Sequence, residues 1–562
     1  MRQLIYLTLL AVGLILISCG DTKKRNTTSH SEAKEISHAS SSFTWKGANI
    51  YFLLTDRFNN GDVSNDINFD RLKETAVLRG FEGGDIKGVT QKIQEGYFTK
   101  LGVNAIWMTP VVEQIHDGTD EGTGYTYGYH GYWTKDWTTM DPNFGTSDDL
   151  KELVTIAHEN GIRILLDAVI NHTGPVTGLD PVWPTNWVRT SPKCEFTTHE
   201  NTTACTLVEN LPDILTESND EVELPPQLVE KWKAEGRYEQ EIAELDTFFT
   251  RTGHPRAPRF YIMKWLTDYI LDYGIDGYRV DTVKHTEEYV WEEFRAECDF
   301  AFRSWKEANP TLALDDTPFY MVGEIYSYNI NDGRVYDFGD KKVDYFGNSF
   351  DALINFDLRS TGEQSLEHVY SSYSEILKTE MNGFGTLNYL SSHDDGEPFD
   401  NRRIKTYESA IRLLLAPGAS QIYYGDEVGR SLIIEGTNGD ATLRSAMNWD
   451  DINNDPQIQK LMEHWQKLGQ FRNRHMAVGA GVHKMIYENP YTFSRTYSEG
   501  VYEDKVVVAL NVPKAQKTIS VMNVFEDGTK LKDAYSGREV VVKKGSVTFS
   551  SKYDVVLLEL IR

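Results

Sequence analysis

Short apolar runs recur along most of this chain, and helical stretches separate them. The runs fall at 49–58 (NIYFLLTDRF), 101–109 (LGVNAIWMT), 162–169, 275–281, 319–324, 350–356, 386–392 and 421–424. Between them, segments 91–100, 147–160 (stopped by Gly161), 259–273, 286–308 and 454–475 have helical spacing. Apolar strands joined by helical crossovers suit a parallel sheet covered on both faces. Eight such units predict an α/β fold, a closed (β/α)8 TIM barrel, in which functional groups gather at the C-terminal strand ends. The alternation stops after the third run. Residues 173–250 are rich in Pro and Thr and read as an irregular inserted domain. From 479 the period becomes two, as in VYEDKVVVALNV and KYDVVLLEL, which predicts a small antiparallel β-sandwich. The barrel therefore occupies 44–172 and 251–478, the insertion 173–250, and the C-terminal domain 479–562.

Three of the runs end in an acid. Asp281 closes GYRVDTVKH, Glu324 lies in MVGEIY, and Asp394 follows YLSSH. Two carboxyl groups flanking one linkage are enough to break an acetal between sugars, one attacking and one protonating the leaving oxygen. A third would stabilise developing positive charge. Solvated loop acids are the ordinary alternative, but three acids in one strand-end context disfavour it.

With 57 Lys and Arg against 84 Asp and Glu, the formal charge is −27, which argues against nucleic acid as a partner. Residues 1–19 read as an export signal: Arg2 precedes an apolar stretch too short for a membrane span. Leu16-Ile17-Ser18-Cys19 reads as a lipobox, so cleavage before Cys19 would leave a lipid-bearing N-terminus. Residues 20–43 are polar and read as a flexible tether. Cys194 and Cys205 lie close together in a polar loop that an oxidising compartment would bridge, worth roughly 2–3 kcal/mol for so short a loop. Cys298 falls in a helical segment and is expected to be a buried free thiol.

The ordered motifs resemble the α-amylase family of glycoside hydrolases (family 13). DAVINH (167–172), GYRVDTVKH (277–285), GEIY (323–326) and SSHD (391–394) follow the family's order. LPDI (211–214), YHGYW (129–133) and GGDIKG (83–88) fit as well. The stretch from FRSWKEANP through DALINFDL is similar to the periplasmic α-amylases of Gram-negative bacteria. The resemblance covers the chain from about residue 49 onward. It implies a retaining mechanism with Asp281 as nucleophile, Glu324 as general acid and then base, and Asp394 stabilising the transition state. Arg279, two residues before Asp281 on a strand, faces the same side and would keep it ionised. Tyr132 would stack on the reacting sugar, and His130, His172 and His393 would bond its hydroxyls. Lys284 and His285 would meet the sugars on the leaving side. Where many relatives have Asn before this His-Asp pair, this chain has Ser392, which implies altered detail with the chemistry retained.

Calcium takes six to eight oxygen ligands. The resemblance implies one structural Ca2+ held by Asn171, Asp213 and the backbone carbonyl of His285, tying the insertion to the barrel. NNGDVSND (59–66) with GGD (83–85) resembles a second calcium loop, with Asn60, Asp62, Asn65, Asp66, Asp85 and the Gly83 carbonyl as donors; the same sequence also reads as a plain turn. Trp183 and Trp187 could be distant sugar platforms, but a small core for the insertion is the expected role.

The expected activity is endo-acting hydrolysis of α-1,4-glucans such as starch, glycogen or maltodextrins. A cyclodextrin- or pullulan-cleaving enzyme, or a transglycosylase, would use the same residues. An inactive glucan-binding lipoprotein is disfavoured because all three acids are present. The expected protein is a monomer, exported as an outer-membrane lipoprotein or to the periplasm of a Gram-negative bacterium, and touching the membrane only through its lipid.

Overall fold

The computed structural model describes residues 43–561. Eight parallel strands form a closed barrel: β1 (Asn49–Leu53), β2 (Ala105–Met108), β3 (Arg163–Ala168), β4 (Gly277–Val280), β5 (Tyr320–Gly323), β6 (Ala352–Asn355), β7 (Gly385–Asn388) and β8 (Ala419–Tyr423). Each strand neighbours its successor, and β8 closes onto β1. Every strand residue is buried, because helices cover the outside and side chains fill the inside. That double burial is why the runs read as unbroken apolar sequence.

Register sets up the site. Arg279 on β4 pairs with Asp167 on β3 and with Val322 on β5. Side chains alternate along a strand, so Asp167 and Arg279 share one level and one face, at the C-terminal end.

The insertion departs from expectation. Residues 188–214 are largely irregular, with a short ribbon pairing Arg189 with Asp213. Beyond it lie two helices, Pro226–Glu235 and Tyr238–Thr252, the second crossing the expected boundary at 250. Pro226 stands in the first turn, where its missing N–H is not needed, and Gly236 and Gly253 close the helices in left-handed conformation. Trp183 and Trp187 are buried, their rings 5.2 Å apart, in a cluster with Trp137 and Trp265. Their role is core. Cys194 and Cys205 form a disulfide, and Cys298 is a buried free thiol.

After the helix Pro456–Arg474 the chain forms a six-stranded antiparallel sheet and a separate two-stranded one. Val507 and Leu558 of the larger sheet meet Ile519 and Val547 of the smaller in a core of their own. The leader and the tether fall outside the described residues, apart from Phe43. That residue is not tether-like: its ring lies 4.9 Å from Trp45 with the Arg163 guanidinium 3.4 Å above it. Among the described residues, no helix is long and apolar enough to cross a membrane.

Candidate active site

One buried guanidinium organises the C-terminal mouth of the barrel. Arg279 Nη1 donates to Asp281 Oδ1 at 2.7 Å and to both oxygens of Asp167 at 2.9 and 3.0 Å. Its Nη2 lies 3.0 Å from Glu324 Oε2. Three acids from β3, β4 and β5 thus converge on one cation. Burial pushes Asp281 well above the usual carboxylate range, and Arg279 opposes that rise. Burial likewise lifts Asp167 to about 6. The same acids raise Arg279 well above its ordinary value against the pull of burial, so it stays a cation.

The turn after Asp281 is strained. Thr282, a β-branched residue, has φ +50°, and its backbone N–H donates to Glu324 Oε2 at 3.1 Å. The strain aims an amide at the second acid, a pattern common at functional sites.

The acids open into a cleft of about 610 Å3. Asp281, Glu324 and Asp394 line it together with His130, Tyr132, His172, Lys284, His285 and His393. Tyr132 lies between two imidazoles: its ring centre is 5.3 Å from that of His393 and 5.8 Å from that of His130, near parallel to both. Its hydroxyl donates to Asp167 Oδ2 at 2.8 Å, which fixes the ring. His130 Nδ1 accepts the Tyr132 backbone N–H at 3.1 Å, so its proton sits on Nε2. Burial keeps His130 and His393 well below the usual histidine range, and neutral. Burial also lowers His172 and His285 to about 4.

His172 lines the cleft, but its Nε2 meets the Tyr132 carbonyl at 3.2 Å and its Nδ1 meets Asn171 Nδ2 at 3.4 Å. It therefore positions Tyr132 as well as facing the cleft. Ser392 Oγ, in the departing position, lies 3.3 Å from His393 Nδ1 and 3.4 Å from Asp394 Oδ1, joining the two.

Among the residues that the sequence analysis missed are Asp167, which binds Arg279, and Arg79, Phe196, Asp440 and Arg444 in the cleft lining. Asp167 carried a signal: it is a charged residue inside an apolar strand, in register with Arg279. Arg444 donates to the His393 carbonyl at 2.9 Å and pairs with Asp440, which also binds Arg79 at 2.8 Å. Asp440 and Arg444 share one short turn, Gly439–Arg444, while Arg79 comes from a distant loop, so only the fold brings the three together.

The first metal candidates are neighbours. Asn171 accepts from Ile214 N at 2.8 Å through its carbonyl, and its side chain meets Thr286 Oγ1 at 3.4 Å, one residue beyond His285. Asp213 is buried, with Arg189 Nε 2.7 Å from its Oδ2, yet neither atom makes a hydrogen bond. Burial pushes Asp213 well above the usual carboxylate range. A buried carboxylate oxygen that makes no hydrogen bond, on a residue bridged to His172 next to Asn171, suits a hard cation alongside its ion pair with Arg189.

The second set is only partly assembled. Asn60 Nδ2 donates to Asp66 Oδ1 at 2.8 Å, and Asn65 Oδ1 is buried without a partner. Gly83, at φ +88°, lets both approach: a Cβ there would fall 2.6 Å from Asn60 Nδ2 and 2.7 Å from Asp66 Oδ1. Asp62 and Asp85 turn elsewhere. Asp85 caps the helix Ile86–Gln94 and accepts from the N–H groups of Gly61, Asp62 and Gly88; Asp62 accepts from Ser64 and Lys87.

A family model, the α-amylase catalytic domain, matches residues 52–479. The chain belongs to the α-amylase family. It is a glycoside hydrolase of the α-amylase type. The periplasmic α-amylase of Escherichia coli (strain K12) is 35% identical over 531 residues, covering 84% of this chain and 72% of that protein. A cyclomaltodextrinase from a Bacillus species is 26% identical, covering 86% and 76%. Among solved structures, the α-amylase from Geobacillus thermoleovorans complexed with acarbose superposes with a TM-score of 0.64 at 23% identity, over 93% of this chain and 100% of that one. An Anoxybacillus α-amylase gives the same TM-score at 22% identity and the same coverage. These likenesses bear on the fold, and it is the one the strand-end motifs imply.

Proposed function

We propose that this α-amylase-type hydrolase is endo-acting and cuts α-1,4-glucans (starch, glycogen or maltodextrins) with retention of anomeric configuration. The observation that carries the reading is the single Arg279 guanidinium shared by Asp281 and Glu324 at an open cleft. Asp281 Oδ attacks the anomeric carbon while Glu324 passes its proton to the leaving oxygen, which breaks the linkage and forms a glycosyl ester. Glu324, now a carboxylate, takes a proton from water. The water oxygen bonds to the same carbon, and Asp281 departs as a carboxylate. Asp394, at the cleft rim, stabilises the positive charge that develops on the ring. Tyr132 packs on that ring, and His130 offers its Nε2–H to a hydroxyl.

Asn171, Asp213 and the His285 carbonyl would hold a structural Ca2+, adding to the positive charge that Arg189 places beside Asp213 and fastening the insertion to β3 and β4. A second ion would draw on Asn60, Asn65, Asp66 and Gly83. The ions supply charge neutralisation and rigidity. The chain is proposed to be exported and lipid-anchored through Cys19 as a monomer, on the strength of its leader sequence and its likeness to a periplasmic enzyme.

A timed product profile tests the reading on maltoheptaose, cyclodextrin and pullulan. Internal cleavage of maltoheptaose with hydrolysis dominant is expected. Dominant transfer products, or a preference for cyclodextrin or pullulan, would replace it with the transglycosylase or cyclodextrinase reading.

A further inference from the structure

We infer that the disulfide-closed loop 194–205 sets how tightly sugars bind on the leaving side of the cleft, with Phe196 as the wall residue and Asn201 as the residue that positions it. The inference rests on the glucan-hydrolase reading above and adds a specificity element to it.

The proton donor defines the leaving side, because it must face the departing oxygen. Lys284 and His285 lie at that end and feel the charge of Glu324. The loop touches the same place twice. His285 Nδ1 lies 3.1 Å from the Thr202 carbonyl, so Nδ1 carries the proton and donates it, leaving the Nε2 lone pair unengaged. Phe196 lines the cleft with half of its surface exposed, its ring 5.6 Å from that of His285 and edge-on to it.

Exposure alone would be ordinary, but this ring is open to the cleft and its backbone is unusual. Phe196 has φ +57°, a region bulky residues avoid. Three restraints hold it there. The disulfide joins the ends of the loop. The Asn201 carbonyl accepts from the N–H of Glu195 at 3.2 Å, and the Asn201 side-chain oxygen accepts from the N–H groups of Thr197 and Thr198 at 3.0 and 2.7 Å. From outside, Asp340 accepts the His199 N–H at 2.9 Å, tying the loop to the hairpin 335–344. That hairpin carries Tyr336, whose hydroxyl lies 3.4 Å from Lys284 Nζ. The leaving-side wall is thus one connected unit, and it is separate from the His130–Tyr132–His393 cluster that faces the reacting sugar.

Two probes separate the two halves of the cleft. Maltoheptaose needs sugars on both sides of the scissile bond, whereas α-maltosyl fluoride expels fluoride and needs none on the leaving side. In Phe196→Ala, in Asn201→Ala and in the double variant Cys194→Ser with Cys205→Ser, the ratio of kcat/KM on maltoheptaose to that on α-maltosyl fluoride is expected to fall about tenfold, mainly through KM. The cleavage position on maltoheptaose should shift as well. An unchanged ratio in Phe196→Ala, which replaces an exposed side chain and leaves the core intact, would overturn the inference, as would equal losses on both probes. A wild-type protein that cleaves neither probe would instead overturn the glucan-hydrolase reading beneath it.

Discussion

Arg279 at the mouth of the barrel and Arg472 near its opposite end are both buried, and their surroundings are opposite. Arg279 is ringed by Asp167, Asp281 and Glu324. Arg472, on the last barrel helix, makes no ion pair among the described residues: its guanidinium donates to the carbonyls of Leu414, Ala416 and Gly418, just before β8. Arg495, from the C-terminal sheet, similarly donates to the carbonyls of Leu415 and Val478. The acids raise Arg279 far above its ordinary value. Burial lowers Arg472 to about 9, with the charge of Arg495 adding to the fall, and lowers Arg495 to about 10 against the opposing pull of Tyr370, Tyr491 and Glu367. The Arg279 charge among acids serves the chemistry at the mouth, while the Arg472 and Arg495 charges among carbonyls secure a loop and dock a domain at the other end. This is the division expected between the two faces of such a barrel.

The strongest test of that contrast removes the acids. Asp281→Asn or Glu324→Gln should lower kcat by about 10³-fold or more while leaving the melting temperature near wild type. Wild-type-like turnover would break the assignment. Next comes the opposite end. Arg472→Gln leaves buried carbonyls unpaired and should cost about 3 kcal/mol in denaturant unfolding, with kcat/KM of the folded enzyme within about twofold of wild type. A stable variant with impaired catalysis would erase the distinction between the two faces.

The barrel was legible because doubly covered strands must be apolar throughout, and their ends must carry the polar groups. Asp281, Glu324 and Asp394 stood out for that reason, and the structure brings them to one cleft. The insertion was less legible. Pro225 and Pro226 look like loop residues until Pro225 is seen to precede a helix as its N-cap and Pro226 to open its first turn. Asp167 was visible within a quoted motif, yet its role depends on register with Arg279, a relation between strands more than 100 residues apart. Arg79, Asp440 and Arg444 needed the fold itself. In the segments 59–66 and 83–85, spacing alone did not reveal that Asp85 binds the N–H groups of Gly61, Asp62 and Gly88, or that Asp62 binds Ser64 and Lys87.

Smaller effects sharpen the contrast further. Asp281 must be an anion to attack, and burial raises its proton affinity. Activity should therefore fall with decreasing pH through a value above the ordinary carboxylate pKa of about 4. Replacing Arg279 with Gln removes the group that opposes this rise, so the acid limb of kcat/KM should move to still higher pH. An unmoved limb would show that Arg279 does not tune Asp281. Smallest is the effect of metal. Chelation should lower the melting temperature by an amount that calcium restores, because a bound ion stabilises only the folded form. An unchanged melting curve, with metal content measured before and after, would reject the structural ion at Asn171 and Asp213.

The most direct test of the Arg279-centred site is the anomeric configuration of the first product from maltoheptaose, followed by proton NMR before mutarotation. If the carboxylate of Asp281 attacks and water then displaces it, the newly formed reducing end appears first as the α-anomer. The β-anomer appearing first would mean that water attacks directly, and that Asp281 and Glu324 do not act as a nucleophile and acid pair.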